Sequence, residues 1–275
     1  MSQSSHPLGR RSSARLLLVA AAVCAGSACN NLTEADPITN RYGSVSIRAR
    51  NASGTTASAN ATAIFFEAFT AAIPNSALQQ TDQCVFAQVD TSTPAVIGVK
   101  RAGDQVTLGI SGTNVTLPFD ATYQRYATPE NTPFVYTSGE QVQVTIPGDA
   151  SAFPAATIAV RLAEPLIPGA VAVPTSTTPM NFSWNAAGDT TSAIILSLRY
   201  ANPANSTYAN EQIYCALRDD GAHQLPTTAL AAFLASPNDK RVLQMTRWRT
   251  REAFIDSRTL LHIATSVDTT LTFQP

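Results

Sequence analysis

The 275-residue sequence has little charge: 18 Lys plus Arg and 19 Asp plus Glu make up 13% of it, against about 25% in an ordinary soluble protein. Its formal net charge of -1 excludes a strongly basic nucleic-acid binder. Its 44% hydrophobic content excludes a charge-rich disordered tail. Histidine is scarce, with three residues, and cysteine is held to four. No apolar run approaches the roughly 20 residues that a membrane-spanning helix needs. Also missing are His-Glu-x-x-His, paired Cys-x-x-Cys, an Asp-rich calcium loop, a Gly-x-Ser-x-Gly elbow and a Gly-rich phosphate loop. The sequence therefore assigns no catalytic residue, no metal site and no cofactor.

What is present begins at the N-terminus. Residues 1–15 contain Arg10, Arg11 and Arg15 and no acid, and an unbroken apolar run follows from Leu16 to Ala25. These are the n-region and h-region of a secretory signal. Next comes Ala25-Gly26-Ser27-Ala28-Cys29, and small residues ahead of a cysteine resemble the lipobox of bacterial lipoproteins. The resemblance implies that residues 1–28 are a lipoprotein signal peptide and that Cys29 becomes a lipidated N-terminus. Several acyl chains would hold it firmly in a membrane where one chain binds marginally. The alternative is an ordinary signal peptide cut after Ala28, with Cys29 left as a free thiol. Asn30 follows the cysteine where enteric lipoproteins retained in the inner membrane tend to carry Asp, so the expected location is the cell envelope, at the outer membrane. Without the signal the chain keeps 15 basic and 19 acidic residues, a mild excess that points to no charged partner class.

Residues 29–42 are polar, carry Pro37 and show no hydrophobic period, as expected of a tether. Beyond them, short stretches alternate with period two between clusters of Gly, Pro, Asn, Asp and Ser. Val45 and Ile47, Val106 to Ile110, Val142 to Ile146, Ile158 to Leu162, and Phe182 with Trp184 are examples. Further stretches run from Ala193 to Tyr200, Gln212 to Leu217, Val242 to Trp248, Leu260 to Ala264 and Thr269 to Phe273. Such spacing predicts an all-β protein, an antiparallel β-sandwich built as two immunoglobulin-like blocks packed together. One short helix is expected over Pro226 to Leu234, where Leu230, Phe233 and Leu234 fall at helical spacing. Pro165, Pro168, Pro174 and Pro179 mark a Pro-rich linker, residues 165–179, between a first block at 43–164 and a second at 180–275.

The second block has the size of an immunoglobulin-like or fibronectin-like sandwich, which it resembles in Phe182-Ser183-Trp184 and Ile213-Tyr214-Cys215. Over residues 84 to 275 the chain also resembles a loose group of uncharacterised bacterial envelope lipoproteins. Phe134 to Pro147, the Trp184 strand, and Tyr214-Cys215 followed by Asp219-Asp220-Gly221 and Pro226 carry that likeness. It implies architecture and location but no activity.

Cys84 and Cys215 remain once the signal and anchor cysteines are set aside, and an oxidising envelope predicts a disulfide between them. The alternative is two buried free thiols. His223, beside Asp219 and Asp220, reads as a solvated loop residue, and His262, alternating with Leu261 and Ile263, as a strand surface residue. Asp219-Asp220-Gly221 reads as a turn. Arg247, Arg249 and Arg251 alternate with Trp248, so on a strand they share one face and the indole takes the other. That face is a candidate anion-binding stripe for lipopolysaccharide phosphates or acidic glycans, or else a plain solvated strand face.

The expected function is thus a lipid-anchored envelope protein with a binding or structural role. Its partners would be the membrane, through the anchor, and an envelope glycan or another envelope protein, with no nucleic acid. The alternative is an envelope hydrolase acting on glycan through carboxylates such as Glu140 and Asp220.

Overall fold

A computed structural model describes residues 40–50, 56–68, 82–88, 98–129, 132–137, 139–149, 152–188, 191–201, 210–271 and 273–274. Cys29 and the signal peptide lie outside the described residues.

The period-two stretches fold as strands because alternate side chains find a core on one face only. Strand β1 (Asn40–Arg50) buries Val45, Ile47 and Ala49. β2 (Thr56–Ala68) buries Ala57, Ala59, Ala61, Ala63 and Phe65 by the same alternation in small residues. β3 (Gln83–Gln88), β4 (Gln105–Ile110), β5 (Thr113–Asp120), β6 (Arg125–Ala127), β7 (Phe134–Thr137), β8 (Gln141–Ile146) and β9 (Ala156–Arg161) follow. After β10 (Val171–Ala172) and β11 (Met180–Ser183) come β12 (Ser192–Tyr200), β13 (Glu211–Arg218) and β14 (Ala222–Leu225). Helix α1 (Thr227–Ala235) buries Leu230 and Phe233, and Pro226, read from the sequence as its start, is the N-cap. The chain closes with β15 (Val242–Asp256), β16 (Thr259–Leu271) and β17 (Phe273–Gln274). Of Leu260 to Ala264 and Thr269 to Phe273, expected as two strands, residues up to Leu271 run through Thr265–Asp268 as β16, one strand of 13 residues, and Phe273 belongs to β17.

The strands form one mixed sheet in the order β3-β13-β12-β15-β16-β1-β2-β6-β5-β4-β8-β9, with β7 on β2, thirteen in all. β10 pairs with β17 and β11 with β14 in two small sheets. Most pairs are antiparallel, but β1 runs parallel to β16, Arg41 opposite Thr259 through Arg50 opposite Asp268.

The sheet turns back on itself at β5, whose residues 113–118 pair with β4 while Phe119 and Asp120 pair with β6. From this corner β9 returns over β15 and β16. Thr265 Oγ1 donates to the Arg161 carbonyl at 3.1 Å, and Arg251 donates to the Ala159 carbonyl. Apolar side chains fill the space between the layers, the Phe65 ring lying 4.5 Å from Phe153 and 5.6 Å from Tyr126, centroid to centroid. Packing there is tight enough that a Cβ on Gly43 would sit 2.8 Å from Leu261 and 2.9 Å from both Phe153 and Phe65.

Among the described residues, the mostly-β fold with one short α-helix agrees with the sequence. The strands form one large mixed sheet, which is not clearly two immunoglobulin-like sandwiches. Strands of the expected first block join strands of the second at two places, β1 to β16 and β3 to β13, and Thr39–Pro275 is one compact unit. The Pro-rich segment is packed, with Leu166 and Val171 buried, the Pro165 carbonyl accepting from Asn185 Nδ2 at 3.0 Å, and the Ile167 N–H donating to Asn185 Oδ1 at 2.6 Å. Proline breaks a ladder but leaves the carbonyl to accept, and that of Pro165 does so. At the other end, β1 begins at Asn40, inside the span read as tether.

Candidate functional site

The three arginines of β15 do share one face, and it is the inner one. Arg247 is 0% exposed and Arg249 is 2% exposed. Arg247 pairs with Asp219, Nε to Oδ2 at 2.7 Å and Nη2 to Oδ1 at 3.0 Å, the two-pronged geometry that suits guanidinium to carboxylate. Its remaining donors reach the Pro165 carbonyl at 2.6 Å and the Asn185 carbonyl. Arg249 grips both oxygens of Glu164 at 2.7 Å and donates to Thr191 Oγ1. Arg251 alone of the three is exposed, and it donates to the Ala159 carbonyl. Two of the three guanidiniums of the expected anion stripe are thus internal struts, closed off from solvent and bonded to protein acceptors. The spacing reported a shared face, but a buried arginine and a solvated one have the same period.

Asp219, read from sequence as half of a turn, is the hub of this network. Besides Arg247 it accepts from Trp184 Nε1 at 2.9 Å, Ser192 Oγ at 2.7 Å and the Ala187 N–H at 3.3 Å. Its neighbour Asp220 accepts from the Ala222 N–H at 3.4 Å, which is the turn role expected. Nothing in Asp219-Asp220 tells which carboxylate faces inward.

With the arginines turned in, the outward face of the same strand carries Trp248. The indole lies partly open on a groove of about 310 Å³ that runs across β13, β12, β15, β16 and β1. Tyr214 lines the groove from β13, Thr246, Ser266 and Ser46 add hydroxyls, and Arg48 paired with Asp268 closes one end. Asp268 also accepts from Thr246 Oγ1 at 2.7 Å, so the ion pair is fixed from a second strand. Burial pushes the Tyr214 phenol above its ordinary pKa, so it is a neutral donor and acceptor at physiological pH. A larger cleft, about 620 Å³, opens beside β2, β5 and β6. Its two aromatic rings already carry cations: the Arg125 guanidinium lies 5.0 Å from the Tyr123 ring centre and Arg101 lies 4.9 Å from that of Phe119.

Cys84 and Cys215 face each other across β3 and β13 and form a disulfide, Cα to Cα 4.0 Å. His223 is no solvated loop residue. It sits on β14, half-buried, with Nε2 3.9 Å from Cys84 Sγ. Burial lowers its pKa, and Asp82 and Asp220 act against that shift. His262 is buried rather than on the surface, with Nδ1 3.6 Å from Glu252 Oε1. Glu140, the other carboxylate considered for hydrolysis, accepts from the Thr137 N–H at 3.0 Å and from Ser111 Oγ. Glu140 and Asp220 thus each hold a turn. Among the described residues no helix is long and apolar enough to cross a membrane.

Comparisons with protein-family models, with curated proteins and with solved structures return no match to this chain.

Proposed function

We propose that this chain is a lipid-anchored protein of the bacterial cell envelope, placed at the outer membrane, whose β domain binds envelope glycan. The observation that carries the location is the basic n-region and the Leu16–Ala25 run ending in Ala25-Gly26-Ser27-Ala28-Cys29. Only ten residues separate Cys29 from Asn40, where the first described strand begins. A chain that short reaches about 35 Å at most, which keeps the domain near the membrane. The test is metabolic labelling with palmitate: label should enter the wild-type protein and be absent from Cys29→Ser. Equal labelling of the mutant would overturn the anchor.

The binding role rests on the outward face of β15. Sugar rings offer apolar C–H faces and hydroxyl edges, and the groove offers the Trp248 and Tyr214 rings beside Ser46, Ser266 and the Arg48–Asp268 pair. Aromatic rings bring large contact area with little side-chain entropy to lose. Aromatic anchors that a ligand covers carry ~2 kcal/mol or more of a binding energy, so Trp248→Ala should weaken retention on lipopolysaccharide or acidic glycan about thirtyfold or more. Arg251→Ala is the control and should leave retention unchanged. Full retention by Trp248→Ala together with Tyr214→Ala would remove the groove as the binding surface. The finer architectural reading, two immunoglobulin-like sandwiches in tandem, is compatible with the mostly-β composition, but the continuous sheet favours one folded-over unit.

A further inference from the structure

His223 and the disulfide form the one group of three soft or nitrogenous ligand side chains found among the described residues, the candidate ligand atoms all lying within 4.8 Å of one another. We propose that Cys84, Cys215 and His223 are a thiol-gated site for a thiophilic d10 cation such as Zn²⁺, closed while the disulfide stands and opened when a dithiol reductant breaks it.

The geometry suits tetrahedral coordination. Zinc–sulfur and zinc–nitrogen bonds of about 2.3 and 2.05 Å place a thiolate and an imidazole nitrogen about 3.6 Å apart on one ion. Cys84 Sγ and His223 Nε2 already stand 3.9 Å apart. Two thiolates on the same ion stand about 3.8 Å apart. Cys84 and Cys215 stand directly opposite each other with Cα atoms 4.0 Å apart, and rotation about their Cα–Cβ bonds reaches that spacing once the bond between the sulfurs is gone. The three ligands come from three different strands, β3, β13 and β14, and leave a fourth position for water. The sequence pairs the two cysteines, but it does not show that the fold brings His223 to Cys84, 139 positions away.

Access is one-sided. Cys84 is partly exposed on β3, at the end of the strand order, whereas Cys215 is 0% exposed. A dithiol thiolate therefore attacks Cys84 Sγ and expels Cys215 as thiolate. The reductant's second thiol then resolves the mixed disulfide, leaving both protein thiols reduced and the reductant as its own disulfide. Binding of Zn²⁺ to the two thiols and the neutral imidazole releases two protons.

The experiment uses the full chain carrying Cys24→Ser and Cys29→Ser, so that Cys84 and Cys215 are its only thiols. Protein reduced with excess dithiol and then freed of it under nitrogen is titrated with Co²⁺, whose thiolate charge-transfer and tetrahedral d–d bands report the ligand set, and Zn²⁺ is used to displace it. Circular dichroism follows the fold throughout. Reduced protein should bind one equivalent with two-thiolate spectral intensity, oxidised protein should bind none, and His223→Ala should weaken binding at least about tenfold while its oxidised form keeps the native spectrum. The proposal is overturned if reduced protein fails to bind or unfolds on reduction, if oxidised protein binds equally well, or if His223→Ala binds as tightly as the parent.

Discussion

Replacing Arg247 by alanine separates the two roles an arginine row on a strand can have. Its guanidinium is fully buried against Asp219, whose side chain is 1% exposed. Removal leaves a buried carboxylate with only the Trp184, Ser192 and Ala187 donors, and takes the donor from the Pro165 and Asn185 carbonyls. Breaking a buried pair from one side costs about 3–5 kcal/mol, a large part of the 5–15 kcal/mol that holds a typical domain. Because three neutral donors stay on Asp219, about 4 kcal/mol is expected, roughly a thousandfold in the folding equilibrium. Urea unfolding followed by the fluorescence of Trp184 and Trp248 measures it. Asp219→Asn keeps an acceptor for Trp184, so the double variant should cost less than the two single changes added together. Arg251→Ala, on the exposed end of the same row, should change stability by less than about 0.5 kcal/mol. If Arg247→Ala came within 1 kcal/mol of the parent at an unchanged urea slope, about the level of a surface pair, or if the cycle were strictly additive, the internal-strut assignment would be wrong.

Three further outcomes are expected. Closing 131 residues of sequence, the Cys84–Cys215 bond should contribute about 5 kcal/mol by constraint of the unfolded chain, so Cys84→Ser with Cys215→Ser should lower the urea midpoint strongly; an unchanged midpoint would contradict the closed loop. Gly43→Ala should lose about 1–3 kcal/mol from crowding against Leu261, Phe153 and Phe65, and calorimetry showing no fall in Tm would refute that close approach. Burial, with a lesser effect of Glu164, pushes the Tyr136 phenol well above its ordinary 10.0, and burial raises Tyr200 and Tyr214 too. Such groups contribute stability that is intact below the unfolded tyrosine pKa and is lost as pH climbs from about 10 towards the folded values. Tyr136→Phe, which also removes a hydrogen bond to the Ala163 carbonyl, should therefore be about 1 kcal/mol less stable at pH 7 but decline less steeply above pH 10. An equally steep decline would contradict it.

Much of the β fold is legible because its core uses branched side chains at period two, as in Val106 to Ile110 and Val142 to Ile146. β2 is harder to see, since its buried positions are four alanines and one phenylalanine, and alanine carries almost no strand preference. Asp268 interrupts the apolar pattern of β16 while remaining in the strand, because Arg48 and Thr246 on the two flanking strands satisfy it. The prolines at 165–179 read from the sequence as punctuation, and the period could not show that the Pro165 carbonyl accepts from both Arg247 and Asn185. At the site, period two placed the three arginines together and Trp248 opposite. It could not say which face was buried, because that depends on β9 returning over β15 from 92 residues away.

The direct measurement for the central claim is the mass of the mature N-terminus after expression in a bacterial host with its lipoprotein pathway intact. Lipid anchoring predicts a first residue Cys29 carrying thioether-linked diacylglycerol. A mature chain that began at Cys29 with a free thiol, or that kept residues 1–28, would contradict it.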